Sequence, residues 1–368
     1  GDKLHIDMCS KDQEVIEVSE DGWEVVQPQD PVFKKFSHQR PMPIPRKNGD
    51  VKKILKYLAI TNEGSQALLL VWLCTCMLEF APRPGLILHG LQGSSKTSAS
   101  DFIRMVVDPS SVPHSSLSKD PSEFVQRMDH HAVISLDNLS NIPQWVSDAL
   151  CGAITGAGFQ KRMLYTDDDD ITYFFRRVFI LNGVSIPVTA PDLLDRSITI
   201  ELTRINSKNR KRETKLRKEF EADIPDILGG ILDVMVQVIA RRDEELSDYP
   251  RLADWYGHAY HAAEVLGVKD EFVKAFSRSE KEQHREVVES HLVSELLLEY
   301  LEDRYSWEGT KRELYDKLGE MADQTGRKKD WPKSVHQFGR KLKQLYHNLD
   351  EMGIHCNDSN KGKRRWFR

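Results

Sequence analysis

One stretch of twelve residues decides the fold of this chain: Leu86-Ile87-Leu88-His89-Gly90-Leu91-Gln92-Gly93-Ser94-Ser95-Lys96-Thr97. A short apolar run leads into a turn rich in glycine and serine, then into Lys-Thr and a helical run from Ser98 to Val107. This order predicts a buried strand, a phosphate-binding loop and a helix, because the N–H groups of such a loop and the helix N-terminus surround phosphate oxygens. In this pattern the lysine reaches the β- and γ-phosphates and the threonine hydroxyl holds Mg²⁺. The sequence therefore predicts ATP and Mg²⁺ as ligands, held by Gly90, Gln92, Gly93, Ser94, Ser95, Lys96, Thr97 and Ser98.

The loop departs from the pattern G-x-x-x-x-G-K-[ST] at one position. Ser95 stands where the second glycine is expected, while Gly90, Lys96 and Thr97 are in place. Serine is small, so the loop can keep its shape if this backbone position does not need a positive φ. The alternative interpretation is a serine-rich turn before an ordinary helix.

Composition indicates a soluble globular protein. The 368 residues favour two or three domains, and 39% of them are hydrophobic and 30% charged. The longest apolar run, residues 67–78, is shorter than the roughly 20 residues that span a bilayer. The five cysteines are scattered without metal-binding spacing, so we expect reduced thiols, a cytoplasmic protein and no membrane contact. The chain begins with glycine rather than methionine, which indicates a tag remnant or a piece of a longer protein.

The charge is distributed unevenly. The whole chain carries −5, but residues 327–368 contain twelve lysines and arginines against four acids, a net charge of +8. This asymmetry indicates a polyanionic partner.

Four regions follow from the pattern of apolar residues, prolines and glycines. They are a small N-terminal β element with a linker (1–45), an α/β core with a parallel sheet flanked by helices (46–206), a helical lid (207–286) and a C-terminal domain (287–368). Within them we expect strands at 4–8, 14–18 and 23–26, and helices at 50–58 and 65–80.

Two further strands of the core end in polar side chains. The run 132–136 is followed by Asp137 and Asn138, and the run 178–181 by Asn182. Beside a phosphate loop, an aspartate at a strand end is placed to hold Mg²⁺ with Thr97, and an amide can orient the attacking water. Asn138 stands where many ATPases carry a glutamate base, so the water-activating group is left open. The alternative for Asp137 is a strand that ends in aspartate by chance.

A hairpin and an arginine complete the core. Phe159, Lys161 and Arg162 lie on a predicted hairpin, where basic and aromatic residues suit nucleic acid, although the four aspartates that follow equally suit a solvated hairpin. Arg196 precedes a strand and can reach the γ-phosphate of a neighbouring subunit as an arginine finger. It can equally pair with Asp192 or Asp195. Arg251 is a weaker candidate for a second arginine that senses ATP.

The C-terminal region predicts a winged helix. An amphipathic helix over 287–305, a second helix capped by Thr310 and Glu313, and a third from Pro332 to Met352 precede a basic hairpin. In this arrangement the third helix enters a DNA groove and the wing touches phosphates, unless the domain serves protein contacts instead. The candidate contacts are Ser334, His336, Gln337, Arg340, Lys341 and Lys343 on the helix, and Lys361, Lys363 and Arg364 on the wing.

Together these elements resemble the AAA+ ATPase module of phage and mobile-element replication proteins, close to superfamily III helicases of the primase-helicase type. The resemblance is carried by residues 136–140, 145–151, 164–168 and 180–183, and it covers about residues 14–202 well. It implies a hexameric ring with ATP between subunits and single-stranded DNA in the pore. It further implies a pore-hairpin role for Phe159, Lys161 and Arg162, a sensor role for Asn182 and a finger role for Arg196.

These observations favour an ATP-dependent DNA helicase, with Lys96, Asp137, Asn138, Asn182 and Arg196 as catalytic residues and duplex or fork DNA at the winged helix. A DNA-binding initiator or adaptor that uses nucleotide only as an assembly switch is the alternative, because Ser95 and Asn138 depart from the usual pattern. A third possibility is the helicase part of a primase-helicase, with a primase domain or partner elsewhere.

Overall fold

The computed structural model describes residues 3–28, 33–140, 142–156, 158–162, 170–184, 190–204, 212–359 and 363–367. The chain forms two compact units, residues 1–276 and 277–368. The division falls ten residues before the predicted start of the C-terminal domain at 287.

The N-terminal β element is a three-stranded antiparallel sheet in the order β1-β2-β3. Its strands are β1 (Leu4–Asp7), β2 (Val15–Ser19) and β3 (Gly22–Val26), as the sequence predicted to within a residue or two. The sheet packs on a long helix of the same unit, α6 (Glu213–Ala240), where the Trp23 indole N–H donates to Asp233 at 2.7 Å.

Residues 38–50 form a proline-rich strap that is bonded to the rest of the unit at both ends. At one end, the Arg40 N–H donates to the Pro109 carbonyl (N···O 3.0 Å) and the Ser111 N–H donates to the His38 carbonyl (2.7 Å). At the other end, the Arg46 N–H donates to the Pro225 carbonyl (2.9 Å) and the Asp50 N–H donates to the Asp226 carbonyl (3.0 Å). Glycines allow the close approach to α6, because a Cβ on Gly229 would lie 1.8 Å from the Arg46 carbonyl oxygen. The strap therefore joins the core near residue 110 to the middle of α6.

The core is a four-stranded, wholly parallel sheet in the order β5-β8-β4-β9. Its strands are β4 (Gly85–His89), β5 (Val133–Leu139), β8 (Val178–Gly183) and β9 (Ser197–Glu201). These strands are mostly buried, as expected of a parallel sheet covered on both faces. An isolated parallel bridge between Ser115 and Leu136 extends the sheet beyond β5. The predicted fold class, an α/β core with a parallel sheet flanked by helices, is confirmed.

Helices of the core connect these strands. They are a 3₁₀ helix (Val51–Tyr57), α1 (Glu63–Thr75), α2 (Lys96–Val107), α3 (Pro121–His130), α4 (Gln144–Thr155) and α5 (Pro191–Asp195). The prediction that α1 continues to residue 80 is wrong. The Leu78 N–H donates to the Thr75 carbonyl at 3.1 Å, so a tight turn closes the helix before the chain enters β4.

The hairpin predicted between α4 and β8 is present as an antiparallel pair, β6 (Gly158–Arg162) with β7 (Asp170–Phe174). Three helices follow β9: α6, α7 (Ala253–Leu266) and α8 (Lys269–Ser290). Apolar side chains of α6 at helical spacing are buried, including Ile227, Ile231 and Met235.

The second unit combines helices with a three-stranded antiparallel sheet in the order β10-β12-β11. Its elements are α9 (Leu292–Glu302), β10 (Ser306–Gly309), α10 (Lys311–Gln324), a 3₁₀ turn (Lys328–Asp330), α11 (Val335–Gln344), α12 (Tyr346–Glu351), β11 (His355–Ser359) and β12 (Lys363–Phe367). The capping box of Thr310 and Glu313 is present.

Two details of this unit differ from the prediction. The first helix begins at Leu292 rather than at 287, because α8 continues to Ser290. The third helix is divided at Leu345 into α11 and α12, and Leu342, Leu345 and Leu349 are all buried. Strand β10 was not predicted.

Candidate phosphate-binding site at the carboxyl edge of the sheet

The loop from Gly90 to Ser95 follows β4, which lies between β8 and β9. Gly90 and Gly93 adopt positive φ angles of 149° and 85°, and Ser95 also lies in the left-handed region, with φ 56° and ψ 39°. The condition stated for Ser95, a backbone position without a positive φ, is therefore not met. A side chain in this region costs about 1–2 kcal/mol, and the loop keeps its shape at that cost.

Lys96 begins α2 and turns back over the loop. Its Nζ donates to the carbonyl oxygens of Gly90 at 2.6 Å and Leu91 at 3.2 Å. Partial burial lowers the pKa of the Lys96 ammonium, and the Asp137 carboxylate acts in the opposite direction. Within the described part of the chain the buried Ser94 hydroxyl has no hydrogen-bond partner. An anionic ligand such as a phosphate chain fits these groups: the buried hydroxyl, an ammonium and the unpaired first N–H groups of a helix.

Thr97 and Asp137 meet directly although they lie forty residues apart. The Thr97 hydroxyl donates to both carboxylate oxygens of Asp137, at 3.0 and 3.2 Å. Hydroxyl and carboxylate oxygens are the ligands that Mg²⁺ prefers in phosphate sites. Among the described residues no cluster of three histidine, cysteine or acidic side chains forms a metal site of another kind.

Asn182 links β5 to α2. Its Oδ1 accepts from the Asn138 N–H at 2.9 Å and its Nδ2 donates to the Ser100 hydroxyl at 3.0 Å. Only 1% of Asn182 is exposed, and Asn138 adopts a positive φ of 55° beside it. The amide therefore holds the Asp137–Asn138 segment against the helix that follows the loop.

His114 and Asp101 were missed by the sequence analysis. His114 Nδ1 lies 2.8 Å from Asp101 Oδ1, and its Nε2 lies 3.8 Å from Asp137 Oδ2. His114 also lines a cavity of about 460 Å³. The other lining residues are Ser115, Ser116, Leu117, Asp137, Asn138, Leu139 and Ser140. No spacing in the sequence marks His114, because only the Ser115–Leu136 bridge brings it to Asp137.

Arg196 lies at the amino edge of the sheet, where the strands begin, opposite to the carboxyl edge that carries the loop. Its carbonyl accepts from the N–H of Gly85, the first residue of β4, and its Nε donates to Asp192 at 3.1 Å. The five residues of β4 separate this edge from the loop by about 16 Å at 3.3 Å per residue. One of the two predicted ion pairs is thus formed within the chain.

Arg251 does not lie at the phosphate loop. It donates to backbone carbonyls of the turn between α5 and β9, at the same edge as Arg196. The structure therefore does not bring Arg251, the weaker candidate for a second ATP-sensing arginine, to the loop of its own chain.

The predicted nucleic-acid contacts fall in two places. Phe159, Lys161 and Arg162 are on β6, and Lys363 and Arg364 on β12, but their side chains lie outside the described residues, as does all of Lys361. On α11, the side chains of His336, Gln337, Arg340, Lys341 and Lys343 are exposed. The Ser334 hydroxyl caps this helix by accepting from the Gln337 N–H at 3.2 Å. Within the described residues Arg340, Lys341 and Lys343 form no ion pair with an acid, whereas Arg327 pairs with Glu295.

Two family models match this chain. The model of the actinomycete integrative conjugative element replication protein matches residues 51–275, more than half of the chain. The chain belongs to this replication protein family. The model of the C-terminal domain of the same replication proteins matches residues 293–368.

Solved structures show only a distant likeness to this replication protein. The apo C-terminal region (305–718) of NrS-1 aligns over 97% of this chain and 94% of its own, with 13% identity and a TM-score of 0.41. A second apo form of that region aligns over 60% of this chain and 63% of its own, at 14% identity and a TM-score of 0.38. JCV helicase with a bound thiazolopyridine compound aligns over 65% and 66%, at 12% identity and a TM-score of 0.31. No curated protein matches the chain.

All five cysteines are free thiols, as predicted. Within the described residues no helix is long and apolar enough to cross a bilayer.

Proposed function

We propose that this replication protein is an ATP-driven DNA translocase of the AAA+ type, acting as a helicase in the replication of a mobile element. The observation that carries the proposal is the pairing of Thr97 with Asp137 beside the Lys96 loop. Three polar groups converge there, Asp137 from one strand end and Lys96 and Thr97 from one helix start, as hydrolysis of a nucleoside triphosphate requires. A role in DNA replication fits a cytoplasmic protein.

The loop residues 90–98 would hold the phosphates of ATP, with Lys96 leaving its two loop carbonyls to bind the β- and γ-oxygens. Thr97 and Asp137 would hold Mg²⁺, which neutralises charge that develops on the phosphates. Asn182 fixes Asn138 and Asp137 at the strand edge and so sets the position of the attacking water. Asn138 can orient that water through its amide but cannot accept its proton as a glutamate would.

The position of Arg196 supports assembly into an oligomer. The resemblance implies that this oligomer is a hexameric ring. Arg196 lies a strand length from its own loop, so only a neighbouring subunit can receive it as an arginine finger. The Arg196 and Asp192 side chains are 35% and 66% exposed. Releasing such an exposed ion pair costs less than about 1 kcal/mol.

DNA contacts are proposed at two sites. The hairpin of β6 and β7, with Phe159, Lys161 and Arg162, would follow single-stranded DNA in the pore. The second unit has the order of helices and strands of a winged helix, so α11 would enter duplex or fork DNA with Lys341 and its exposed neighbours. A primase partner is a further expectation from the resemblance.

ATP hydrolysis with and without single-stranded DNA tests the proposal. We expect DNA to stimulate hydrolysis in the natural chain, and Lys96→Ala to abolish it, because the variant removes the cation that binds the phosphates. Lys119→Ala, an exposed lysine outside the site, is the control. Hydrolysis that survives Lys96→Ala would refute the assignment of the loop.

DNA binding by α11 has its own test. Each phosphate contact contributes a slope of about −0.9 to a plot of log affinity against log salt concentration. We expect Lys341→Ala to reduce the slope for duplex DNA by about one contact, whereas Lys317→Ala on α10 leaves it unchanged. Equal slopes for both variants would remove α11 from the interface.

A nucleotide-switched DNA-binding initiator is the second candidate. The amide at Asn138 favours it, because an amide cannot take the proton of the attacking water as a glutamate would, and this weakens hydrolysis more than binding. Slow hydrolysis that does not respond to DNA, together with tight duplex binding that depends on ATP, would establish this alternative over the translocase.

A further inference from the structure

Arg251 binds the turn that carries Arg196. Its Nη1 donates to the carbonyl oxygens of Leu194 at 3.2 Å and Asp195 at 2.7 Å. Its Nη2 donates to the carbonyl oxygen of Ser197 at 3.4 Å. The guanidinium thus binds the residues immediately before and after Arg196, and it fixes the direction in which the chain passes through that residue.

Aromatic side chains hold the guanidinium in place. Its carbon lies 5.3 Å from the ring centroid of Phe276 on α8, and Phe276 in turn packs against Tyr256 of α7 at 5.1 Å. Phe276 is 1% exposed. A planar guanidinium directs its N–H donors to three carbonyls at fixed angles while it stacks on a ring, which the rotating ammonium of lysine does not do.

Other hydrogen bonds, which do not involve Arg251, hold the same turn. The Ser197 hydroxyl donates to the Leu193 carbonyl at 2.6 Å, and the Gly85 N–H donates to the Arg196 carbonyl at 3.0 Å. The fold of the turn therefore does not depend on Arg251 alone. The contribution of Arg251 is to restrict how far the backbone of this turn can move.

We propose that Arg251 is a positioning residue for Arg196, and that it couples the helices α7 and α8 to the site of the neighbouring subunit. The inference rests on the proposed function, in which Arg196 completes the site in trans. Misplacement of a catalytic group by about 1 Å can cost roughly 100-fold in rate. A small displacement of α7 would change the Arg196 turn of its own subunit and the hydrolysis rate of the next one.

The test uses the full chain and mixed oligomers. Arg251→Lys keeps the positive charge but removes the planar guanidinium. Arg251→Gln is a second variant, in which a neutral amide donor replaces the guanidinium. We expect either variant to lower ATP turnover by about 10-fold or more, with nucleotide affinity and unfolding midpoint unchanged. Arg217→Lys, an exposed arginine on α6, is the matched control and should keep full turnover.

Co-expression with the Lys96→Ala chain supplies the decisive measurement. A Lys96→Ala subunit cannot bind ATP, but it presents an intact Arg196 turn to the intact loop of an Arg251→Lys subunit. We expect mixed oligomers to turn over ATP faster than the Arg251→Lys chain alone, while the Lys96→Ala chain alone shows no turnover. A defect in the general fold of the Arg251 variant would not be repaired in this way.

Arg196→Ala mixed with Lys96→Ala is the reference for the trans site. If this pair recovers turnover and the Arg251→Lys pair does not, Arg251 acts within its own subunit and the inference is wrong. If neither pair recovers turnover in verified mixed oligomers, the trans role of Arg196 fails, and the role of Arg251 fails with it.

Discussion

The carboxyl edge and the amino edge of the parallel sheet, where its strands end and begin, carry different chemistry. At the carboxyl edge, side chains bond to one another, as Thr97 does to Asp137 and Asn182 to Ser100. At the amino edge, a basic residue stands just before each strand: Arg83, His131, Arg177 and Arg196.

Two of these three arginines donate to backbone carbonyls, whereas Arg196 donates to Asp192. Arg83 donates to the Cys76 carbonyl at 3.3 Å, and Arg177 to the Met128 carbonyl at 2.6 Å. Under the proposed function, one chain carries both parts of a phosphoryl-transfer site at opposite ends of the same strands. A second copy of the chain must then bring the two parts together.

The largest expected effect comes from the amino edge. Arg196→Ala should reduce ATP turnover by at least about 100-fold, because an arginine finger contributes roughly 1,000-fold or more. Nucleotide affinity should stay within about twofold in an equilibrium titration with a labelled ATP analogue, because the loop is untouched. Arg204→Ala, an exposed arginine beyond β9, is the control. Loss of binding together with turnover would mean that Arg196 supports its own loop.

A smaller effect is expected from the side chains behind the carboxyl edge. His114→Ala and Asp101→Asn should each raise the Mg²⁺ concentration for half-maximal hydrolysis by about 10-fold, because such supporting residues orient the ligand carboxylate. The double variant should be no worse than either single one, since the two residues act as one pair. Additive losses would show that His114 and Asp101 act separately.

Ser95 offers a test of the loop itself. Ser95→Gly should raise the free energy of unfolding by up to about 1 kcal/mol, because glycine adopts the left-handed region without strain. Ser95→Ala keeps the strain and should give no gain in chemical denaturation. Equal stability of the two variants would mean that the positive φ carries no cost here.

The amino edge should also respond to pH. His131 is half-buried beside Arg104, whose Nη2 donates to His131 Nδ1 at 2.6 Å, and this environment lowers the pKa of His131 to about 3. Burial lowers the pKa of His38, which stacks on His131 at 3.8 Å. The unfolded chain binds protons below about pH 6.5, whereas the folded chain resists them. Stability should therefore be full above that pH and fall between pH 6.5 and 3.

Urea unfolding at pH 7.5 and pH 5 measures this effect. We expect the free energy of unfolding to decrease by about 2 kcal/mol over this interval, because pH 5 lies about 1.5 units below the pKa of an unperturbed histidine. His131→Gln should flatten the dependence, because glutamine can accept from Arg104 without titrating. An equal dependence in this variant would assign the effect to other groups.

The carboxyl edge could be predicted in large part because its signals are local. Thr97, Asp137 and Asn182 each follow an apolar run, and parallel strands bring their carboxyl ends to one side of the sheet. The same reasoning gave the phosphate loop and the hairpin of β6 and β7. It could not give their exact bonds, such as the double role of the Asn182 amide.

Contacts between distant segments could not be predicted. His114 reaches Asp137 through a single isolated bridge, and Arg251 reaches the Arg196 turn across more than fifty residues of sequence. Strand β10 is four residues long and is defined by its pairing with β12, so its own sequence gives little signal. The positive φ of Ser95 is set by the loop around it and not by the residue type.

The strap of residues 38–50 has a mechanical consequence. Three alternating prolines, Pro41, Pro43 and Pro45, lie between its two anchor points, and such a segment is already extended at about 3.1 Å per residue. An extended segment has no slack, so it behaves as a strut of fixed length between the core and α6. Movement of helix α6 away from the core would therefore require that the hydrogen bonds at one of the two anchors break.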